Sequence, residues 1–222
     1  MLKYKKDGVG MKFKNSRAGD IILNLIDVIH ENRDFLSKID GEIGDGDHGI
    51  NMDKGFTLCG KKLKDKKYSM SGGFNILGKT LLEDIGGSMG PLYGIFFNEL
   101  SAASEDVEDI DASDLECMFK LAIAGIQEIG EAKAGDKTLL DTLIPAVKAY
   151  SFAIDEDNSF DECLEVLKSA AREGWQSTRD MVAKIGRASR LGERSRGVLD
   201  PGATSCYLII NSIATSIQDL LK

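Results

Sequence analysis

The sequence predicts an all-α fold, a single-domain eight-helix antiparallel barrel or bundle whose working loops gather at one end. Three observations predict it. Apolar residues recur at helical spacing almost throughout. No segment shows period-two alternation over β-branched residues. Loop signals cut the chain into about eight segments with no long polar linker and no internal repeat. The helical domain is expected over residues 16–222, preceded by an N-terminal extension at 1–15.

The first segment, roughly 16–38, places Ile22, Leu25, Ile26 and Ile29 at i, i+3, i+4 and i+7. Helices are expected next at 48–64, 73–85 and 90–103. The fifth, 112–131, carries Leu115, Met118, Phe119, Ala122, Ile126 and Ile129 on one face, and Ser113 with Glu116 reads as its capping box. The sixth, 138–153, contains Pro145, which should kink it because proline has no N–H to donate. The seventh, 159–183, opens on a second capping box, Ser159 with Glu162, before the stripe Phe160, Leu164, Leu167 and Ala171. The last, 202–221, carries Tyr207, Ile210, Ile213, Ile217 and Leu220. Asp200 is its expected N-cap, with Pro201 at the first helical position.

A net charge of −8 argues against nucleic acid or an anionic membrane surface as the main partner. Cys59, Cys117, Cys163 and Cys206 form no Cys-x-x-Cys pair, so buried free thiols are expected rather than zinc or disulfides. The opening MLKYKKDGVGMKFKN lacks the apolar core of a signal peptide, and no stretch approaches the roughly 18 apolar residues of a membrane span. A cytoplasmic protein is expected.

The unusual residues lie between the helices, in IDGEIGDGDHG, GGSMGP, GEAKAGDKT and GRASRLGERSRGVLDPG. In the first, Gly44, Gly46 and Gly49 allow an irregular turn in which Asp40, Asp45 and Asp47 converge. Converging carboxylates repel unless a cation neutralises them, and all-oxygen ligation suits Mg²⁺, Mn²⁺ or Ca²⁺. An EF-hand fails on spacing: counted from Asp45, Ile50 stands where glycine is needed and Phe56 where glutamate is needed. The same glycines match G-x-G-x-x-G, but two carboxylates would repel a pyrophosphate and no strand precedes them. Gly73 to Thr80 matches a Walker A pattern formally, yet the upstream KKLKDKKYSMSG is charged where a P-loop needs a buried strand.

GGSMGP and GDKT open helices with accessible amides, an arrangement that suits an anion as well as close packing or a plain N-cap. At the second, the Thr138 hydroxyl or the Lys137 ammonium could face phosphate. Arg187, Arg190, Arg194 and Arg196 cluster with only Glu193 to oppose them, to pair with surface carboxylates or to stabilise phosphate charge. His30 falls on a polar helix face, whereas His48 is placed to orient an aspartate or touch a nucleotide.

The segments LSKIDGEIGDGDHGINM, GGSMGPLYGIFF, AGDKTLLDTLIPA and GRASRLGERSRGVLDPGATS resemble, in order and over about residues 16–221, the nucleotide-binding L subunits of dihydroxyacetone kinase, the DhaL family. The resemblance implies an eight-helix barrel with ADP or ATP and two Mg²⁺ ions at one end. Asp40, Asp45 and Asp47 would hold the ions. His48, Asn51, Ser88, Gly130, Leu139, Arg187, Asp200 and Gly202 would line the nucleotide site, with Gly49, Ile50, Met89, Thr138 and Pro201 beside them. Arg187 would be the catalytic residue. The resemblance further implies a dihydroxyacetone-binding K subunit and a phosphohistidine-carrying M subunit of the phosphotransferase system as partners, and leaves room for a homodimer. The alternatives are an ATP-dependent kinase subunit for dihydroxyacetone or another small ketose, and a non-catalytic nucleotide-binding regulatory module. One departure stands out: where the family reads Gly-Gly-x-Ser-Gly-Pro, Met89 occupies the serine position and Ser88 precedes it.

Overall fold

The computed structural model describes residues 10–222. The expected N-terminal extension and the absence of a signal peptide fall largely on residues 1–9, outside the described residues. Among the described residues nine α-helices account for most of the chain: α1 Asp20–Glu31, α2 Arg33–Ile43, α3 His48–Leu63, α4 Met70–Asp84, α5 Met89–Ser104, α6 Ala112–Ile129, α7 Leu140–Asp155, α8 Phe160–Ser177 and α9 Pro201–Leu220. Among the described residues no helix is long and apolar enough to cross a membrane.

Successive helices from α3 to α9 pack side by side, α9 returns against α1, and α1 packs on α3, which closes the ring. The fold is all-α, as periodicity predicts. Phe56, Phe74, Phe96, Phe97 and Phe119 fill its centre with ring centroids 5.0–6.4 Å apart. Each such ring contributes roughly 1.5–3 kcal/mol by burial. The predicted stripes face this core, with informative exceptions: Ile129 is 47% exposed and Leu220 40% exposed.

Three local expectations need correction. The first predicted helix is two, because Asn32 leaves helical geometry (φ −99°, ψ 7°) and its side-chain amide donates to Val28 O at 2.8 Å, competing with the backbone ladder. The cap of α6 is Asp111 rather than Ser113: its carboxylate accepts from Ser113 N at 2.9 Å and Asp114 N at 3.1 Å, while Asp114 reaches back to Asp111 N at 3.0 Å. Cys117 is exposed, unlike the other three thiols. The Ser159–Glu162 box and the Asp200 cap are present as expected.

A two-residue antiparallel ladder escaped the periodicity reading: β1 Phe13–Lys14 pairs with β2 Asp109–Ile110. Beside it Asn15 is buried, donating to Ser104 O at 2.7 Å and Val107 O at 3.0 Å and accepting from Ser71 N at 3.0 Å. This segment therefore ties the start of α4 to the end of α5. The Walker-like stretch is the interior of α4, where Gly78 packs against Asn98 and Gly94 of α5 and Lys79 is exposed. It is no P-loop.

Candidate functional site

The ends of α2, α4 and α6 and the starts of α3, α5, α7 and α9 meet around one cavity of about 780 Å³. Antiparallel packing explains the coincidence, since alternate connections must lie at the same end of the ring. Four helix starts thereby border a single space.

The acidic turn forms one wall. Asp40 is in the last turn of α2 and is buried, whereas Asp45 is exposed. One carboxylate oxygen from each of Asp40, Asp45 and Asp47 lies within 4.8 Å of the others. Gly46 makes this convergence possible with a left-handed φ of 77°, which costs a glycine least. Gly44 lies so close to the Asp40 carboxylate that a Cβ there would stand 2.3 Å from Oδ1. His48 N donates to Asp40 Oδ2 at 3.2 Å, which fixes the orientation of that carboxylate. Arg187 forms an ion pair with Asp45. Three clustered carboxylates with one arginine retain excess negative charge, and the donor set is oxygen only. That chemistry fits a hard divalent cation.

The His48 ring pairs through Nε2 with Ser205 Oγ at 2.9 Å. Burial lowers its pKa to about 4 against the opposing pull of Asp40, so the imidazole is neutral near pH 7. Tyr93, whose ionisation burial pushes well up, donates to Gly202 O at 3.0 Å and lies 2.6 Å from the same Ser205 hydroxyl. Tyr93 and Ser205, which the sequence reading missed, thus brace His48 against the start of α9. Asp200 caps that helix through Ala203 N at 2.7 Å. Burial raises its pKa to about 7, with Asp141 and Asp40 adding to the rise while the cap bond and Lys137 oppose it. Thr204 Oγ1 donates to Asp200 O at 2.7 Å and accepts from the Trp175 indole at 2.9 Å, and the indole stacks on Tyr207 at 4.6 Å.

The opposite wall is apolar, formed by Pro91, Leu92, Ile126, Ile129 and Ala132. This explains the exposure of Ile129: it faces the cavity. Ser88 and Met89 both line the cavity at the start of α5. Met89 is buried, while the exposed Ser88 makes no side-chain cap bond, so its hydroxyl is open to the space. Asn51, Gly130, Thr138, Leu139, Arg187, Pro201 and Gly202 also line the cavity. Gly49 and Ile50 do not. Gly49 is pressed against Arg33 O and Ser37 of α2, and Ile50 is 54% exposed. Of the two donors expected at the GDKT turn, Lys137 also borders the cavity but gives its ammonium's hydrogen bonds to the carbonyls of Met181, Ser195 and Val198. The arginines separate likewise. Only Arg187 joins the cavity, and Arg196 pairs with Glu193 and Asp180 O.

The family model described as the DAK2 domain matches residues 42–215. Over 198 residues the chain is 36% identical to the ADP-binding subunit DhaL of the PEP-dependent dihydroxyacetone kinase of Escherichia coli (strain K12), spanning 87% of this chain and 92% of that one. Over 206 residues it is 36% identical to the ADP-binding subunit DhaL of PEP-dependent dihydroxyacetone kinase 2 of Listeria innocua, spanning 90% and 94%. The crystal structure of the dihydroxyacetone kinase from C. freundii in complex with AMP-PNP and Mg²⁺ shares its fold, with a TM-score of 0.66 at 20% identity, over 97% of this chain and 37% of that one. The motif order, the all-α ring and these matches together place the chain in the DAK2-domain family, among the DhaL-type subunits of dihydroxyacetone kinases.

Proposed function

We propose that this chain is the nucleotide-binding phosphoryl-donor subunit of a multi-subunit dihydroxyacetone kinase, holding ADP or ATP with two Mg²⁺ ions. The observation that carries the reading is the convergence of Asp40, Asp45, Asp47 and Arg187 on a cavity edged by four helix starts. When bound, the cations would neutralise the phosphate charge that phosphoryl transfer must manage. The chain itself supplies the rest. Asp40, Asp45 and Asp47 hold the metal, and the amides at the starts of α3, α5 and α7 orient phosphate oxygens. Arg187, which pairs with Asp45 in the described chain, would be available to the phosphates when that carboxylate holds a cation. Ser88 supplies the hydroxyl contact that Met89 cannot, and the apolar wall around Ile129 takes the base.

The phosphotransferase-dependent reading, with ADP retained and rephosphorylated in place by a phosphohistidine on an M subunit, is supported by near full-length similarity to PEP-dependent ADP-binding subunits. Dihydroxyacetone would then be held by a K subunit.

The test is a mass spectrum of the small molecules released on denaturing purified protein, with and without prior removal of Mg²⁺. ADP released from the wild type and lost from Asp45→Ala and Asp47→Ala, with helical circular dichroism unchanged, is the expected result. Full magnesium-dependent ADP retention in either variant would sink the metal assignment. An empty wild-type site that binds ATP and ADP with similar exchange would favour ATP-dependent turnover.

A further inference from the structure

Lys137 is an unusual residue for its position. Its backbone takes a left-handed φ of 65°, and its side chain is 2% exposed. Among the described residues no carboxylate forms a salt bridge with it, and its ammonium donates to Ser195 O at 2.5 Å, Val198 O at 2.7 Å and Met181 O at 3.2 Å. An ammonium has three N–H donors and no acceptor. All three are therefore used on backbone, at two places flanking the segment that carries Arg187. Two further bonds close the same loop: Ala183 N donates to Ser195 Oγ at 2.9 Å and Gly197 N to Arg179 O at 2.7 Å. On its other side Lys137 is continuous with Thr138, whose N–H donates to Asp141 Oδ2 at 2.7 Å at the entrance of α7.

We propose that Lys137 is a positioning residue: it staples both ends of the arginine loop, residues 181–198, to the start of α7 and so sets Arg187 opposite the three carboxylates. The loop needs such an anchor. Gly186, Gly192 and Gly197 all have positive φ, and no α-helix runs through the segment. A buried ammonium is costly in a core even with the Asp200 carboxylate near enough to favour its charge, and the three carbonyls it satisfies would lose their partner if it were removed. The inference rests on the nucleotide-site reading for its functional consequence. The staple itself does not.

The two parts are tested separately, on the full chain. Amide exchange without nucleotide reads the staple. Lys137→Met, similar in length and without donors, should exchange about tenfold faster at Ala183 and Gly197, with α1–α6 unchanged. Lys137→Gln keeps two donors and should fall between it and the wild type, and it decides the question if the methionine variant does not fold. Wild-type exchange in the loop overturns the staple. Calorimetric titration with Mg²⁺ and ADP then reads the positioning. Lys137→Met should weaken binding about tenfold, and the double variant with Arg187→Met should be no weaker than Arg187→Met alone, because the lysine acts through the arginine. Additive losses, or a loosened loop with unchanged affinity, overturn the positioning role. If Arg187→Met alone binds normally, the nucleotide-site reading of Arg187 fails, and positioning fails with it, while the exchange result still decides the staple.

Discussion

Asp200 combines two roles that pull against each other. As the cap of α9 it benefits from negative charge, because the free amide of Ala203 points at it. As a buried carboxyl group it resists ionisation, and its pKa rises to about 7. In the unfolded chain the same group titrates near 3.9. Between those values the folded chain holds a proton that the unfolded chain has released. The corresponding stability is complete below about pH 4 and is lost as pH rises through about 7. Asp200→Asn keeps an acceptor for Ala203 N but cannot ionise. Its urea midpoint should therefore gain on the wild type as pH rises from about 5 to 8. Parallel curves would show that Asp200 ionises normally. At this scale the convergence of Asp40, Asp45 and Asp47 was legible from glycine placement, since Gly46 permits the irregular turn that brings them together. The direction of Lys137 was not, because a left-handed lysine carries no sequence signal comparable to glycine's.

Among the elements, helix existence followed from apolar spacing, while helix ends depended on side chains that several templates fit equally. Ser113 with Glu116 and Asp111 with Asp114 are the same cap motif two residues apart, and the fold uses the second. Asp111 also pairs with Lys12 at 3.2 Å. Asp111→Ala should consequently lower unfolding free energy by about 1 kcal/mol, and Ser113→Ala by less than about 0.5 kcal/mol. Equal losses in urea titrations would restore the sequence expectation. The break at Asn32 was hidden for a related reason: neither glycine nor proline marks it, and it arises from a side chain bonding back into its own helix. A ladder of two residues is simply too short for alternation to register.

For the molecule as a whole, the ring needs its ends held as well as its core filled. Asn15 supplies part of this by bridging α4 and α5 through buried hydrogen bonds. Asn15→Ala would leave Ser71 N and the carbonyls of Ser104 and Val107 without that partner, at a cost of about 2 kcal/mol, readable as a lower melting temperature. A melting temperature within a degree or so of wild type would show that the clasp is dispensable. Long-range closure of this kind, like the approach of Arg187 to Asp45, cannot be read from local pattern, because glycine loops permit many paths and only packing selects one. The relay from Trp175 through Thr204 to Asp200 has an optical consequence. The chain contains one tryptophan, so all indole emission comes from a single place, two hydrogen bonds from the cavity edge. Stacked on Tyr207 and tied to the cap of α9, that indole is a built-in gauge of how the nucleotide end settles, legible in unlabelled protein.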